Sequence, residues 1–354
     1  MKKLHVGLGE NSYNILVGTN FMSEFHKYIS EIYKGKRLFV ITDSNVERLY
    51  GSNFSIFFKN YDYSIHIIEA GEQNKNLDTV KEIYESMIND SISRDDLIVA
   101  LGGGVVGDIA GFVAATYLRG VKFIQIPTTV VSQVDSSVGG KVGVDLPAGK
   151  NLVGAFYQPK LVLIDILFLK TLEKRYFFDG FAEIVKYGCI YDKSLFEKLE
   201  EISIQYDLRE SLMNNMEDIV YRSCEIKKEV VEQDEKEKNL RMILNFGHTI
   251  GHAVEQYYNF EKYSHGEAVS IGIVDIVNIG EKLNITKSNE IKRIQKLLEN
   301  LQLPIADEYP VDTILKIMKR DKKSNISGIN FIFLKEIGKV EIIKMTSEEV
   351  MFNK

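Results

Sequence analysis

Apolar and polar positions follow two different rhythms along this chain. Residues 3–8 and 12–17 read as short strands around Gly9-Glu10-Asn11, forming a hairpin at the start. After a polar helix, Arg37–Asp43 is an apolar strand ending on an acid. Tyr63–Ile68 and Leu97–Leu101 repeat the pattern, with an amphipathic helix from about Leu77 to Ile88 between them. Val121–Ile126 and Leu161–Ile164 add two more apolar runs. Strands alternating with helices predict a parallel sheet covered on both faces, with ligands at the carboxyl ends of its strands. From about Thr171 the spacing turns helical, over Phe178–Ile190, Leu195–Ile202, Leu208–Val231, Ile243–Tyr258, Gly266–Leu283, Asn289–Asn300 and Val311–Met318. Two strands, Gly328–Leu334 and Lys339–Ile343, then turn around Glu336-Ile337-Gly338. The expectation is an α/β parallel-sheet domain over residues 1–170 and a mostly α-helical domain over 171–354. No low-complexity linker separates them, so close packing is expected.

Composition narrows the classes. The chain has 354 residues, above the roughly 250–300 at which single cores stop growing, so two domains are the default. Hydrophobic content of 45% and charged content of 27% are ordinary for a soluble globular protein. A net charge of −6 lacks the basic excess of a nucleic-acid binder. It leaves room for a cationic pocket, because a cleft focuses its own charges. Cys189 and Cys224 show no paired spacing, which fits a reducing compartment. Gly7, Gly9, Glu10 and Asn11 break any apolar run after Met1-Lys2-Lys3, so no signal peptide is expected. No run approaches the ~20 apolar residues of a membrane helix, and a cytoplasmic protein with no membrane partner is expected.

Candidate chemistry gathers in a few stretches. The strand Leu97–Leu101 runs into Gly102-Gly-Gly-Val-Val-Gly-Asp108 and then an apolar helix, where glycines could let backbone N–H groups approach a pyrophosphate. No acid stands roughly 20 positions on to hold a ribose, so tight helix–sheet packing is the plainer alternative. Two Gly-Lys pairs, at Lys141 and Lys150, suit oxyanions. Neither is a P-loop: Asp135 and Val144 stand where the first glycine belongs, and Val142 and Asn151 where Ser or Thr belongs. Glu183 and Lys186 share a helix face, and a surface ion pair is the bland reading. Ser264 reads as an N-cap with His265 in the first turn. His248 and His252, four apart on one helix face, are a possible metal pair. Buried imidazoles bonded to neighbours are the commoner fate, but three of only six histidines fall between 248 and 265.

Together these motifs resemble the 3-dehydroquinate synthase family over nearly the whole chain, from Asp43 to Lys323. The resemblance rests on Gly102–Asp108, Tyr117-Leu-Arg-Gly120, Pro127-Thr-Thr129, Gln133–Lys141, Gly149-Lys-Asn151, Ala182–Gly188, Leu244–His252 and His265-Gly-Glu267. It implies a Rossmann-like N-terminal domain and a helical C-terminal domain, the dehydroquinate synthase-like fold. It also implies an NAD-dependent, divalent-metal enzyme. The reaction converts 3-deoxy-D-arabino-heptulosonate 7-phosphate into 3-dehydroquinate and phosphate, a shikimate-pathway step, in a cytoplasmic homodimer. Zinc or cobalt would be held by Glu183, His248 and His265. NAD would meet Asp43, Glu72, Lys75, Gly104, Val105, Val106, Gly107, Asp108, Thr128, Thr129, Lys141, Lys150, Phe168, Leu169, Lys170 and Thr171, with Asp43 on the adenine ribose. The substrate's phosphate and carboxylate would be gripped by Arg119, Lys141, Lys186, Lys227, Arg241 and Lys322 or Lys323, with Asn151 and Asn245 as neutral donors. His252 would move the hydroxyl proton, with Glu237 and Asp135 steering lysines and solvent. Relatives sharing much of this set are other sugar-phosphate cyclases, such as 2-deoxy-scyllo-inosose or valiolone-type synthases. More distant are metal-dependent polyol dehydrogenases of the glycerol dehydrogenase type.

Overall fold

The computed structural model describes residues 1–147, 149–321, 328–352 and 354, the side chains of 319–321 excepted. It divides into two compact units, Met1–Leu172 with Lys227–Glu235, and Glu173–Ile226 with Lys236–Lys354.

The described residues of the first unit form nine strands: β1 (Lys2–Val6), β2 (Tyr13–Gly18), β3 (Arg37–Asp43), β4 (Asp62–Ile68), β5 (Leu97–Gly102), β6 (Lys122–Pro127), β7 (Lys141–Leu146), β8 (Gly149–Phe156) and β9 (Leu161–Asp165). Its helices are α1 (Phe25–Ile32), α2 (Ser44–Tyr50), α3 (Phe54–Phe57), α4 (Leu77–Asn89) and α5 (Gly104–Thr116). Seven strands form one sheet in the order β1-β2-β9-β6-β5-β3-β4. All neighbours are parallel except β1, which pairs antiparallel with β2 at one edge.

The reason for the continuous apolar runs is visible in β3 and β5. Leu38, Val40, Leu97, Val99 and Leu101 enter a core with Phe25, Phe54 and Phe57 on one face. Phe39, Ile41, Ile98 and Ala100 enter a second core with Val80, Ile83, Ile109 and Val113 on the other. A strand buried on both faces has no polar side to show. One pair of strands lies outside the apolar runs named above: the two Gly-Lys segments open β7 and β8, an antiparallel hairpin registered from Lys141↔Phe156 to Leu146↔Gly149.

The second unit is helical. It holds α6 (Lys174–Asp179), α7 (Phe181–Ile190), α8 (Lys193–Ser203), most of α9 (Leu208–Gln233), α10 (His248–Tyr257), α11 (His265–Lys282), α12 (Glu290–Asn300), α13 (Val311–Asp321) and α14 (Ser347–Phe352). A hairpin of β10 (Ile329–Glu336) and β11 (Lys339–Met345) completes it. Among the described residues no helix is long and apolar enough to cross a membrane.

Two expected helices are broken. Phe178–Ile190 is two helices meeting at Gly180. Ile243–Tyr258 is a 3₁₀ segment, Leu240–Asn245, followed by Gly247 at φ +77° and then α10. An L-residue in that left-handed position would be strained. A Cβ there would also lie 2.5 Å from Ile273 Cγ1. The helix therefore starts at His248, not upstream.

Candidate active site

Helix α10 lies so close to α11 because glycines line their contact. A Cβ on Gly272 of α11 would fall 2.1 Å from the Gly247 carbonyl oxygen and 2.7 Å from the Gly251 nitrogen. Those are backbone atoms and cannot swing aside. Gly272→Ala should therefore destabilise the protein by roughly 1–3 kcal/mol or more through overpacking, read as a lowered urea midpoint.

That approach brings together side chains from three helices. Glu183 comes from α7, His248 and His252 from α10, and His265 from the first residue of α11. The start of α11 is pinned. Asp179 accepts hydrogen bonds from the Ser264 hydroxyl at 2.6 Å and the Glu267 N–H at 3.0 Å, and Glu267 accepts from the Ser264 N–H at 3.0 Å. Ser264 is thus the start signal the sequence suggests. Arg175 in turn grips Glu267 at 2.6 and 2.9 Å.

Glu183 is fully buried, and its Oε1 lies 3.0 Å from His265 Nε2 and 3.2 Å from His248 Nε2. One donor atom from each of the three lies within 4.8 Å of the others. Lys186, itself buried, pairs with the same carboxylate. The bland reading of a surface pair is therefore wrong: this helix is buried all round. Burial would raise the Glu183 pKa, but Lys186 and His248 outweigh it and hold the carboxyl well below its ordinary value. Burial likewise opposes charge on His265, yet Glu183 and Glu255 raise its pKa well above the ordinary value. His248 Nδ1 lies 3.0 Å from the Phe246 carbonyl oxygen, which leaves Nε2 directed at Glu183.

His252 sits one turn along α10, its ring centroid 5.4 Å from that of His248 and 5.9 Å from that of His265. Its side chain is 43% exposed. A carboxylate and two imidazole nitrogens converging this closely form a set that fits a divalent metal with positions left for substrate.

In the first unit, several of the residues that the resemblance assigns to NAD fall at the carboxyl ends of neighbouring parallel strands. Asp43 ends β3, Gly102 ends β5, Thr128 and Thr129 follow β6, and Phe168, Leu169, Lys170 and Thr171 follow β9. Gly103 is the N-cap of α5, which places Gly104, Val105, Val106 and Gly107 in its first turn. Backbone N–H groups there form an anion-binding end. Asp43 Oδ1 caps α2 through the Asn45 and Val46 N–H groups, both at 2.9 Å. The side chains of Phe168 and Leu169 are buried in the unit's interior, Phe168 stacking on Phe25, so these two could offer a ligand backbone only.

Lys75, Glu72, Asp108, Lys150 and Asn151 form one cluster. Lys75 Nζ lies 2.6 Å from Asp108 Oδ2, 2.7 Å from Asn151 Oδ1 and 4.0 Å from Glu72, while Lys150 lies 3.4 Å from Glu72. Asp145 accepts from the Asn151 N–H at 2.7 Å and donates its own N–H to the Lys75 carbonyl at 2.8 Å.

The remaining candidates fall within one unit or the other. Asp135, in a π-helical segment Ser132–Ser136, pairs with Lys227 at 2.9 Å. Asn245 donates to Glu237 at 2.9 Å. Arg241 is buried, Lys141 is exposed at the start of β7, and Arg119 is exposed in a turn where Leu118 and Arg119 both have positive φ. Lys322 and Lys323 lie outside the described residues. Asp179, Asp145 and Glu255 were not anticipated. Asp179 acts on Ser264 and Glu267, and Asp145 binds the Lys75 carbonyl, both far away in the sequence, while the contact of Glu255 with His265 depends on how α11 packs on α10.

A parallel-sheet unit with a glycine turn, and a helical unit with a Glu/His/His donor set, define a two-unit architecture suited to a nucleotide and a metal. Comparison with known proteins makes this specific. Residues 65–179 match the family model for the 3-dehydroquinate synthase N-terminal region, and residues 180–324 that for its C-terminal region. The 3-dehydroquinate synthase of Clostridium acetobutylicum is 48% identical over 352 residues, covering 99% of this chain and 98% of the relative. Among solved structures, 2-epi-5-epi-valiolone synthase from Streptomyces hygroscopicus, with NAD⁺ and Zn²⁺ bound, has a TM-score of 0.88 at 26% identity, covering 98% of this chain and 97% of that one. A 2-deoxy-scyllo-inosose synthase complexed with carbaglucose-6-phosphate, NAD⁺ and Co²⁺ has a TM-score of 0.87 at 25% identity, covering 99% and 98%. The chain belongs to the 3-dehydroquinate synthase family.

Proposed function

We propose that this enzyme converts 3-deoxy-D-arabino-heptulosonate 7-phosphate into 3-dehydroquinate and phosphate, a carbon–oxygen lyase reaction. The observation that carries the reading is the convergence of Glu183, His248 and His265, with His252 a turn away. The family assignment supports the choice of substrate: curated relatives at 42–48% identity over nearly the full chain bear this name, against 25–26% for the solved cyclases of other sugars.

Glu183, His248 and His265 would hold a zinc or cobalt ion. The carboxyl ends of β3, β5, β6 and β9, with Glu72, Lys75, Asp108 and Lys150, would hold NAD. The domain roles follow: nucleotide in residues 1–170, metal and substrate in residues 171–354. When bound, the metal supplies a Lewis acid that acidifies a substrate hydroxyl, and NAD a hydride acceptor that is later regenerated.

The chain's own residues do the rest. His252 is exposed enough to meet a substrate and takes the hydroxyl proton as general base. Lys186 and Arg241 are buried cations in the helical unit and suit an anionic substrate group. Asp135 orients Lys227, and Glu237 orients the Asn245 amide. Arg119, Lys141, Asn151 and a lysine of the 322–323 pair are assigned to the substrate by the resemblance alone. A cytoplasmic homodimer acting on this small molecule belongs to the same reading.

Incubating the protein with NAD⁺, Co²⁺ and the heptulosonate phosphate should release one phosphate per substrate with no net NADH. NADH accumulating without phosphate would instead mark a polyol dehydrogenase and overturn the proposal.

A further inference from the structure

Glu255 has no part in the scheme above, yet its surroundings are unusual for a carboxylate. It is 2% exposed, and it lies in the last turn of α10. A negative charge there opposes the helix dipole, so it does not serve the helix. Burying it is costly unless partners offset the lost water. Its Oε1 lies 3.6 Å from His265 Nδ1, and its Oε2 lies 4.0 Å from His252 Nε2. These are charge contacts longer than hydrogen bonds.

The geometry at His265 is two-sided. Nε2 lies 3.0 Å from Glu183 Oε1, and Nδ1 faces Glu255. A neutral imidazole that gives Nε2 to a metal must carry its proton on Nδ1. An anion on that side favors this tautomer and makes Nε2 a stronger donor. His248 differs: its Nδ1 faces the neutral carbonyl of Phe246.

We propose that Glu255 is a positioning residue, whose buried carboxylate holds His265 with Nδ1 protonated and Nε2 turned toward Glu183. It reaches His252 with its other oxygen, so the metal ligand and the proton-transfer group share one anchor. The proposal rests on the metal reading above, and concerns the ligand's orientation rather than an additional ligand.

The test is Co²⁺ binding by chelator competition, with the visible spectrum of the Co²⁺ protein, on wild type and Glu255→Gln. Glutamine keeps the shape and removes the charge. The expected result is affinity lowered about 10–100-fold with an altered Co²⁺ spectrum, while the metal-free variant melts as metal-free wild type does. Unchanged affinity and spectrum in Glu255→Gln would overturn the proposal and leave the metal reading standing. So would a variant that loses metal-free stability but keeps wild-type affinity, because its role would then be structural. Wild type that binds no Co²⁺ would overturn both. If Glu255→Gln fails to fold, Glu255→Asp decides. It keeps the charge but withdraws it by one methylene, and its Co²⁺ affinity should drop several-fold; wild-type affinity would overturn the proposal.

Discussion

His248→Ala is expected to lose metal retention and turnover together, whereas His252→Ala keeps the metal and loses turnover by roughly 10²–10⁴-fold, the range for a positioned general base. The two residues stand one turn apart on α10 but face different partners. His248 Nε2 is 3.2 Å from the buried Glu183 carboxylate, and removing it strips one of three converging donors. His252 is the more exposed and approaches Glu255 at 4.0 Å. Metal content after gel filtration, with kcat on the reconstituted proteins, separates the roles. Equal metal loss in both variants would refute the division. The pH dependence of metal retention has a defined sign. Ligation requires neutral imidazoles, and in the metal-free protein Glu183 and Glu255 hold the His265 pKa well above its ordinary value against the effect of burial. Protons therefore compete beyond the usual histidine range. Apparent affinity should still climb with pH where an unperturbed histidine has stopped titrating.

What could be read in advance follows the range of the interaction. The parallel sheet was legible because β3 and β5 are buried on both faces, and an unbroken apolar strand records that locally. The His248–His252 spacing was legible for the same reason: one helix carries both. Glu183, 65 positions before His248, has no local mark, and only the resemblance brought it to the metal set. Glu255 stands seven positions after His248, yet the spacing gives no sign of its role. It depends on where α11 places His265. The break at Gly247 was hidden because an isolated glycine in a helical pattern is usually tolerated; its positive φ and its fit against Ile273 are tertiary facts. Strands β7 and β8 gave no clear strand signal because glycines interrupt their apolar positions, and the Gly-Lys pairs read as oxyanion chemistry instead.

The Lys75 cluster supplies the other large effect, and it concerns stability without any ligand. Lys75 is 4% exposed and holds Asp108 at 2.6 Å, so Lys75→Met leaves that carboxylate facing a side chain that cannot donate. Removing one partner of a buried pair costs roughly 3–5 kcal/mol, and Asp108, whose side chain keeps 18% exposure, points to the lower end, about 3 kcal/mol. Burial already raises the Asp108 pKa in spite of Lys75. Without the lysine it should rise further. The folded variant then binds a proton that the unfolded chain has released, so its stability falls as pH rises through the window between the two pKa values. The deficit against wild type should therefore be wider at pH 8 than at pH 5, because protonation removes the stranded charge as pH falls. Urea denaturation at both pH values, without nucleotide, measures this apart from any role of Lys75 in binding NAD. Adding Asp108→Asn to Lys75→Met should recover much of the loss at pH 8. A deficit that is equal at both pH values and is not relieved by Asp108→Asn would mean that Lys75 stabilises through its contact with Asn151 at 2.7 Å instead.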